Sequence, residues 1–121
     1  MNKWVLLQHE VERQDCIEVH YDFLVEYGKD CLTWKFFEIP QINGPPVQII
    51  KQENHRLIWL YRKEYTLSNA RGKVQRKDKG TYHLVEDFVN QDDFSLILNG
   101  NIFYGILKKT SNLCQLIPGI N

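Results

Sequence analysis

No stretch of this chain keeps an apolar stripe at the 3.6-residue spacing of a helix. What recurs is runs of Val, Ile, Leu, Tyr, Phe and Trp, broken by turn residues at roughly 8–12-residue intervals. WVLLQHEV, IEVHYDFLVEY, CLTWKFFEI, HRLIWLYRKEY, GKVQRKD, TYHLVED, FSLIL, NIFYGIL and LCQLI read as strands, roughly nine in all. With no room for crossover helices, the pattern predicts an all-β fold, a small curved β-barrel with little helix. Gly28-Lys29-Asp30 and Asp78-Lys79-Gly80 read as turns, and Asn99-Gly100 as a tight hairpin turn, since both residues tolerate positive φ. Pro40, Gly44, Pro45 and Pro46 make IPQINGPPVQII a loop, and the polar EVERQDCIE has room for one helical turn. Trp34 and Phe36 should flank the core.

The 121 residues, 43% of them hydrophobic, suit one domain over 1–121 with its own core. Fifteen bases balance fifteen acids, so no whole-protein attraction to nucleic acid or membrane is expected. The charge is unevenly spread. Between Glu10 and Asp30 seven acids face two bases, and between Arg62 and Lys79 seven bases face two acids. The second stretch is either a solvated hairpin or a phosphate-binding edge. Cys16, Cys31 and Cys114 lack CxxC spacing and read as reduced packing residues of a cytoplasmic protein. The short apolar run of MNKWVLLQHEVE suits neither a signal peptide nor a membrane span.

Chemistry enters at HYDFLVEYG. On a strand, His20, Asp22, Leu24 and Glu26 share one face, and Tyr21, Phe23, Val25 and Tyr27 the other. His9 lies near the end of the preceding strand. If the two strands pair, His9, His20 and Asp22 can meet inside the mouth of the barrel. Two imidazoles and a carboxylate suit Mn, Fe, Zn or Co better than Ca or Mg. The competing reading is of unconnected histidines bonded to backbone or water.

LLQHE, HYDFLVE, LTWKF, the PPVQ loop, ENHRLIWLY and LSNARGKVQRKDKGTYHL, taken in that order, resemble the 3′-phosphoesterase domain of bacterial DNA ligase D and its stand-alone relatives. The likeness runs from about Trp4 to Leu107. It implies His9, His20 and Asp22 as ligands of a divalent metal, Mn2+ foremost with Zn2+ or Co2+ as substitutes. It further implies catalytic roles for His55 and Tyr61, and phosphate binding by His55. Arg56, Arg71 and Arg76 are candidates for clamping a DNA backbone, because guanidinium matches phosphate bidentately, with plain solvated surface residues as the competing reading. The implied activity is trimming of 3′-phosphate or 3′-ribonucleotide ends of DNA, with DNA 3′ ends or primer-template as partner, separate ligase or polymerase proteins nearby, and no membrane.

Two positions depart from that pattern. Leu24 stands where the family has an arginine, and His9 and His20 are further apart in sequence than their counterparts. The aromatic hydroxyl is also shifted, with Trp59 in register and Tyr61 two residues on. Leu24 favours an alternative, a weak or inactive barrel serving as a nucleic-acid or protein-binding module.

Overall fold

The computed structural model describes residues 2–67, 72–85 and 92–119. Ten strands carry the chain: β1 (Lys3–Arg13), β2 (Cys16–Tyr27), β3 (Asp30–Phe36), β4 (Val47–Gln48), β5 (Ile50–Arg56), β6 (Glu64–Thr66), β7 (Lys73–Leu84), β8 (Asp93–Asn99), β9 (Tyr104–Thr110) and β10 (Leu113–Ile117). Of the described residues 69% are strand and 4% helical, so the all-β expectation holds. The strands form one sheet in the order β4-β10-β9-β8-β7-β1-β2-β3-β5, with β6 added to β7. Only Ile49 separates β4 from β5 in the chain, so the sheet must curl until its two ends meet. Among the described residues no ladder joins those ends, and the sheet is curled without being closed.

The main core fills the inside of the curl. Trp4 and Leu6 of β1, Phe23 and Val25 of β2 and Trp34 and Phe36 of β3 pack there with Phe94, Leu96 and Leu98 of β8 and Leu107 of β9. Trp34 and Phe94, on strands that are not neighbours, have ring centroids 5.0 Å apart, so side chains from both arms of the curl meet in the middle. Both Trp34 and Phe36 are fully buried, as expected. Burying each such side chain stabilises the fold by about 1.5–3 kcal/mol.

A second, smaller cluster lies on the opposite face of the β7-β1-β2-β3 arm. Val5, Leu7, Leu24, Cys31 and Val74 pack there beneath Leu60. Leu60 belongs to a 3-10 turn, Leu57–Leu60, where the sequence reads as strand. The strand instead comes earlier, at Ile50–Arg56, and the apolar LIWL run is explained by what it covers. Apolar composition alone does not separate a buried strand from a buried turn.

Three turn expectations are corrected. Asp78-Lys79-Gly80 is no turn but runs through the middle of β7. A bulge lies beside it, Leu6 facing Asp78 and Leu7 facing Arg76, so Lys77 is the extra residue. Asn99-Gly100 is not a two-residue turn either: Asn99 pairs with Tyr104, leaving residues 100–103 as the connection. The loop is organised by the buried carboxylate of Asp78, which accepts from the backbone N–H groups of Asn101 (3.1 Å), Ile102 (2.7 Å) and Phe103 (2.9 Å). Gly100 is needed for space, since a Cβ there would lie 2.5 Å from Trp4 Cζ2. The tight hairpin is at Gln14-Asp15, both at positive φ (40° and 68°), where a helical turn had been allowed for. The turn expected at Gly28-Lys29-Asp30 is present but is two residues long, Gly28 (φ 70°) and Lys29, with Asp30 opening β3. Among the described residues no helix is long and apolar enough to cross a membrane.

Candidate metal centre

The Gln14-Asp15 turn sets the site. Because Arg13 pairs with Cys16, each step back along β1 is matched by one step forward along β2, and His9 falls directly opposite His20. Leu7 in the same way faces Asp22. Directly opposed residues share a face of the sheet, so both imidazoles and the carboxylate emerge side by side. A one-residue slip of either strand against the other would send its own residues to the opposite face and part His9 from His20 and Asp22.

His9 Nδ1 lies 3.2 Å from His20 Nε2, and His20 Nε2 lies 3.4 Å from Asp22 Oδ1. His9 Nδ1 lies 3.9 Å from the other oxygen of that carboxylate, Asp22 Oδ2. One potential ligand atom from each residue lies within 4.8 Å of the others. The three side chains are 19%, 13% and 12% exposed, so the cluster is recessed but opens to solvent. His20 Nδ1 is buried without a hydrogen-bond partner, which leaves Nε2 as the nitrogen of that ring that addresses the cluster.

The position of the cluster differs from expectation. It is not inside the curl. Phe23, between Asp22 and Leu24, points into the main core, so alternation sends His20 and Asp22 to the face that carries the second apolar cluster. Leu24 shares that face, as expected, but is fully buried beneath the Leu57–Leu60 turn.

The remaining expected residues are dispersed over the same arm. His55 faces Cys31 across the β3-β5 ladder, and its Nδ1 lies 3.1 Å from both Thr33 Oγ1 and the Glu53 carbonyl. Thr33 donates its own hydroxyl proton to the Cys31 carbonyl, so the network puts a proton on His55 Nδ1 and, in the neutral ring, a lone pair on Nε2. Tyr61 is not at the cluster. Its hydroxyl accepts from Lys3 Nζ (3.2 Å), and Lys3 is at the far end of β1, roughly 20 Å along the strand from His9. Arg76 is half-buried and faces Leu7, which in turn faces Asp22, so the three lie in one row across β7, β1 and β2. Arg56 is exposed and opposes Asp30 at the end of β3. Arg71 lies outside the described residues.

Sequence reading missed one assembly. The Arg62 guanidinium lies 4.5 Å from the Trp59 ring centroid and 4.1 Å from that of Tyr65. Trp59 also meets the His55 ring at 6.4 Å. As a strand, WLYRKEY would put Trp59 and Arg62 on opposite faces. No local pattern marks the assembly, since Trp59 lies in the Leu57–Leu60 turn, Arg62 after it and Tyr65 on β6.

The fold and site together define an all-β chain, a curled antiparallel sheet with a two-histidine, one-aspartate cluster on the outside of one arm. No protein-family model and no curated protein sequence matches the chain.

Proposed function

We propose that this protein is a metal-dependent phosphoesterase that trims 3′-phosphate or 3′-ribonucleotide ends of DNA. The observation that carries the reading is the meeting of His9, His20 and Asp22, a donor set of mixed nitrogen and oxygen suited to Mn2+, Zn2+ or Co2+. These three residues would hold the ion. When bound, it would supply Lewis-acid polarisation of a phosphoryl oxygen. The fit is geometric: one ligand-type atom from each residue lies within 4.8 Å of the others, a spacing that an ion with bonds of roughly 2.0–2.3 Å can draw together.

The rest of the arm supplies positioning. Arg76, in the row of Asp22, offers a guanidinium fork to a phosphate near the cluster. His55, with Nδ1 tied to Thr33 and the Glu53 carbonyl, is held in one orientation, but its row runs through Cys31 to Glu26, four residues along β2 from Asp22, so it would meet a substrate that extends beyond the cluster and not the ion itself.

One observation favours a second reading, a binding module with little or no catalysis. Leu24 is fully buried where the resembled family has a phosphate-binding arginine. The two readings separate in one experiment: metal content of the purified protein, and phosphate release from a 3′-phosphorylated primer with Mn2+ added. Release by wild type that Asp22→Ala abolishes supports the enzyme. Bound DNA ends with no release by wild type leaves the binding module.

A further inference from the structure

The residues around Arg62 form a groove of about 500 Å3, lined by Arg56, Ile58, Trp59, Arg62, Tyr65 and their neighbours Thr66 and Leu67. Its described lining holds two guanidinia and no carboxylate. Asp30 opposes Arg56 across the β3-β5 ladder and belongs with that guanidinium, while Glu64, paired with Gln75, alternates away from Tyr65, so Arg62 is the guanidinium the proposal uses.

The groove is built around one cation and two rings. The Arg62 guanidinium lies beside Trp59 and Tyr65, which meet edge to face with centroids 5.4 Å apart. A guanidinium resting on a ring keeps N–H groups at its edge for other partners, and that edge matches a phosphate. Tyr65 is 42% exposed, so much of it remains open for stacking. The groove also shares its face with the metal cluster. Tyr65 pairs with Val74, Val74 with His9 and His9 with His20, one continuous row across β6, β7, β1 and β2. Two inter-strand steps separate the Cα atoms of Tyr65 and His9, roughly 10 Å, a length that one or two nucleotides of an extended strand can span.

We propose that this groove binds an unpaired nucleic-acid strand, Arg62 taking a backbone phosphate while Tyr65 and Trp59 take a base. Stacking on aromatic rings is open to any base, so the site follows the strand and not its sequence. A duplex, whose bases are stacked on each other, offers it only phosphates. The proposal rests on the nucleic-acid reading above for its ligand and is independent of the metal.

Trp4 and Trp34 are fully buried, so Trp59 is the tryptophan a ligand can reach, and its fluorescence reports on the groove directly. The test is titration of the full chain with a short oligothymidylate in EDTA, against a blunt duplex and polyglutamate, with thermal melting to show that each variant is folded. Wild type should bind the oligothymidylate with quenching of Trp59 and should prefer it to the duplex. Tyr65→Ala should weaken binding about 5- to 150-fold, the range for losing one base stack. Arg62→Lys, which keeps the charge but not the planar fork, should bind more weakly than wild type and more tightly than Arg62→Glu. Oligothymidylate binding that is unchanged in folded Arg62→Glu, or matched by polyglutamate or duplex, overturns the proposal. Phosphate release is read separately with His20→Ala. Its absence in wild type beside Arg62-dependent strand binding removes the enzyme and leaves the groove, and release that ignores Arg62 and Tyr65 in strand-bearing substrates removes the groove alone.

Discussion

His9 and His20 face each other across the β1-β2 ladder, with Nδ1 of one 3.2 Å from Nε2 of the other, and the pairing follows from a two-residue turn five positions away. The turn residues Gln14 and Asp15 both sit at positive φ, the geometry that matches the twist of paired strands. Register, not proximity in sequence, brings the imidazoles together. Inserting one glycine between Gln14 and Asp15 should therefore disturb the cluster more than its distance suggests. The expected outcome is a loss of Mn2+ binding, measured by the manganese resonance signal, with the melting transition retained.

Metal loading should be visible in stability. An ion that binds only the folded chain adds about 2.7 kcal/mol at a hundred times its dissociation constant. Wild type should melt at a higher temperature with Mn2+ than with EDTA. His20→Ala and Asp22→Ala should lose that difference, and their affinity should fall by more than the roughly 10–100-fold that losing an outer-shell partner costs. A Mn2+-dependent shift that persists in both variants would place the ion elsewhere.

Leu24→Arg would introduce a guanidinium on the face of the cluster, and the structure argues against a simple gain. The side chain is fully buried among Val5, Leu7, Cys31 and Leu60. Leu24→Ala should cost about 2–5 kcal/mol through the cavity it leaves. Leu24→Arg must either bury an unpaired guanidinium or push the Leu57–Leu60 turn off the sheet, and should be the less stable of the two in urea unfolding. A stable Leu24→Arg with increased phosphate release would show that the turn can lift, and that the pocket beneath it is the phosphate site.

The all-β class and most strands were legible because alternation of apolar and polar residues reports directly on a half-buried sheet, as at HYDFLVEY. The meeting of the side chains was legible for the same reason, since alternation puts His20 and Asp22 on one face. Which face was not. His20 and Asp22 carry no mark that tells the inside of the curl from the outside, and that choice is made by Phe23 and Trp4 packing against residues of the other arm. The DKG and NG signals misled because both are local rules overridden by one long-range contact, the Asp78 carboxylate reaching the loop at residues 101–103.

That contact has a measurable weight. Asp78 is 6% exposed and accepts from four backbone N–H groups, those of Lys79, Asn101, Ile102 and Phe103. Each donor left unsatisfied and buried costs about 1–3 kcal/mol, less where water or relaxation supplies a partner. Asp78→Ala should accordingly be among the most damaging single changes, and Asp78→Asn, which keeps one carbonyl acceptor, should retain part of the loss. Gly100→Ala should damage the same loop by another route, its Cβ meeting the Trp4 ring. Urea unfolding should rank Asp78→Ala below Asp78→Asn, and equal stability of the two would show that the loop is held by packing alone.

The cysteines give a pH prediction with a definite sign. Burial pushes the Cys31 thiol up to about 12, helped by the carboxylates of Glu26 and Asp30, and burial pushes Cys114 up to about 12, with Lys109 opposing. In the unfolded chain both would ionise near the ordinary value of 9.0. Between those values the folded state holds protons that the unfolded state has released, so stability falls as pH rises, by up to about 1.4 kcal/mol per unit for each thiol. Below pH 9 the two thiols contribute no slope. Replacing both with alanine costs packing at every pH but should flatten the decline above pH 9, which urea titrations at pH 8 and 10.5 would show. A thiol reagent at neutral pH should label exposed Cys16 and leave Cys31 and Cys114 untouched until the chain unfolds. Rapid labelling of all three in the folded protein would mean that the two buried thiols are reached through local opening, and the decline with pH would then be shallower than stated.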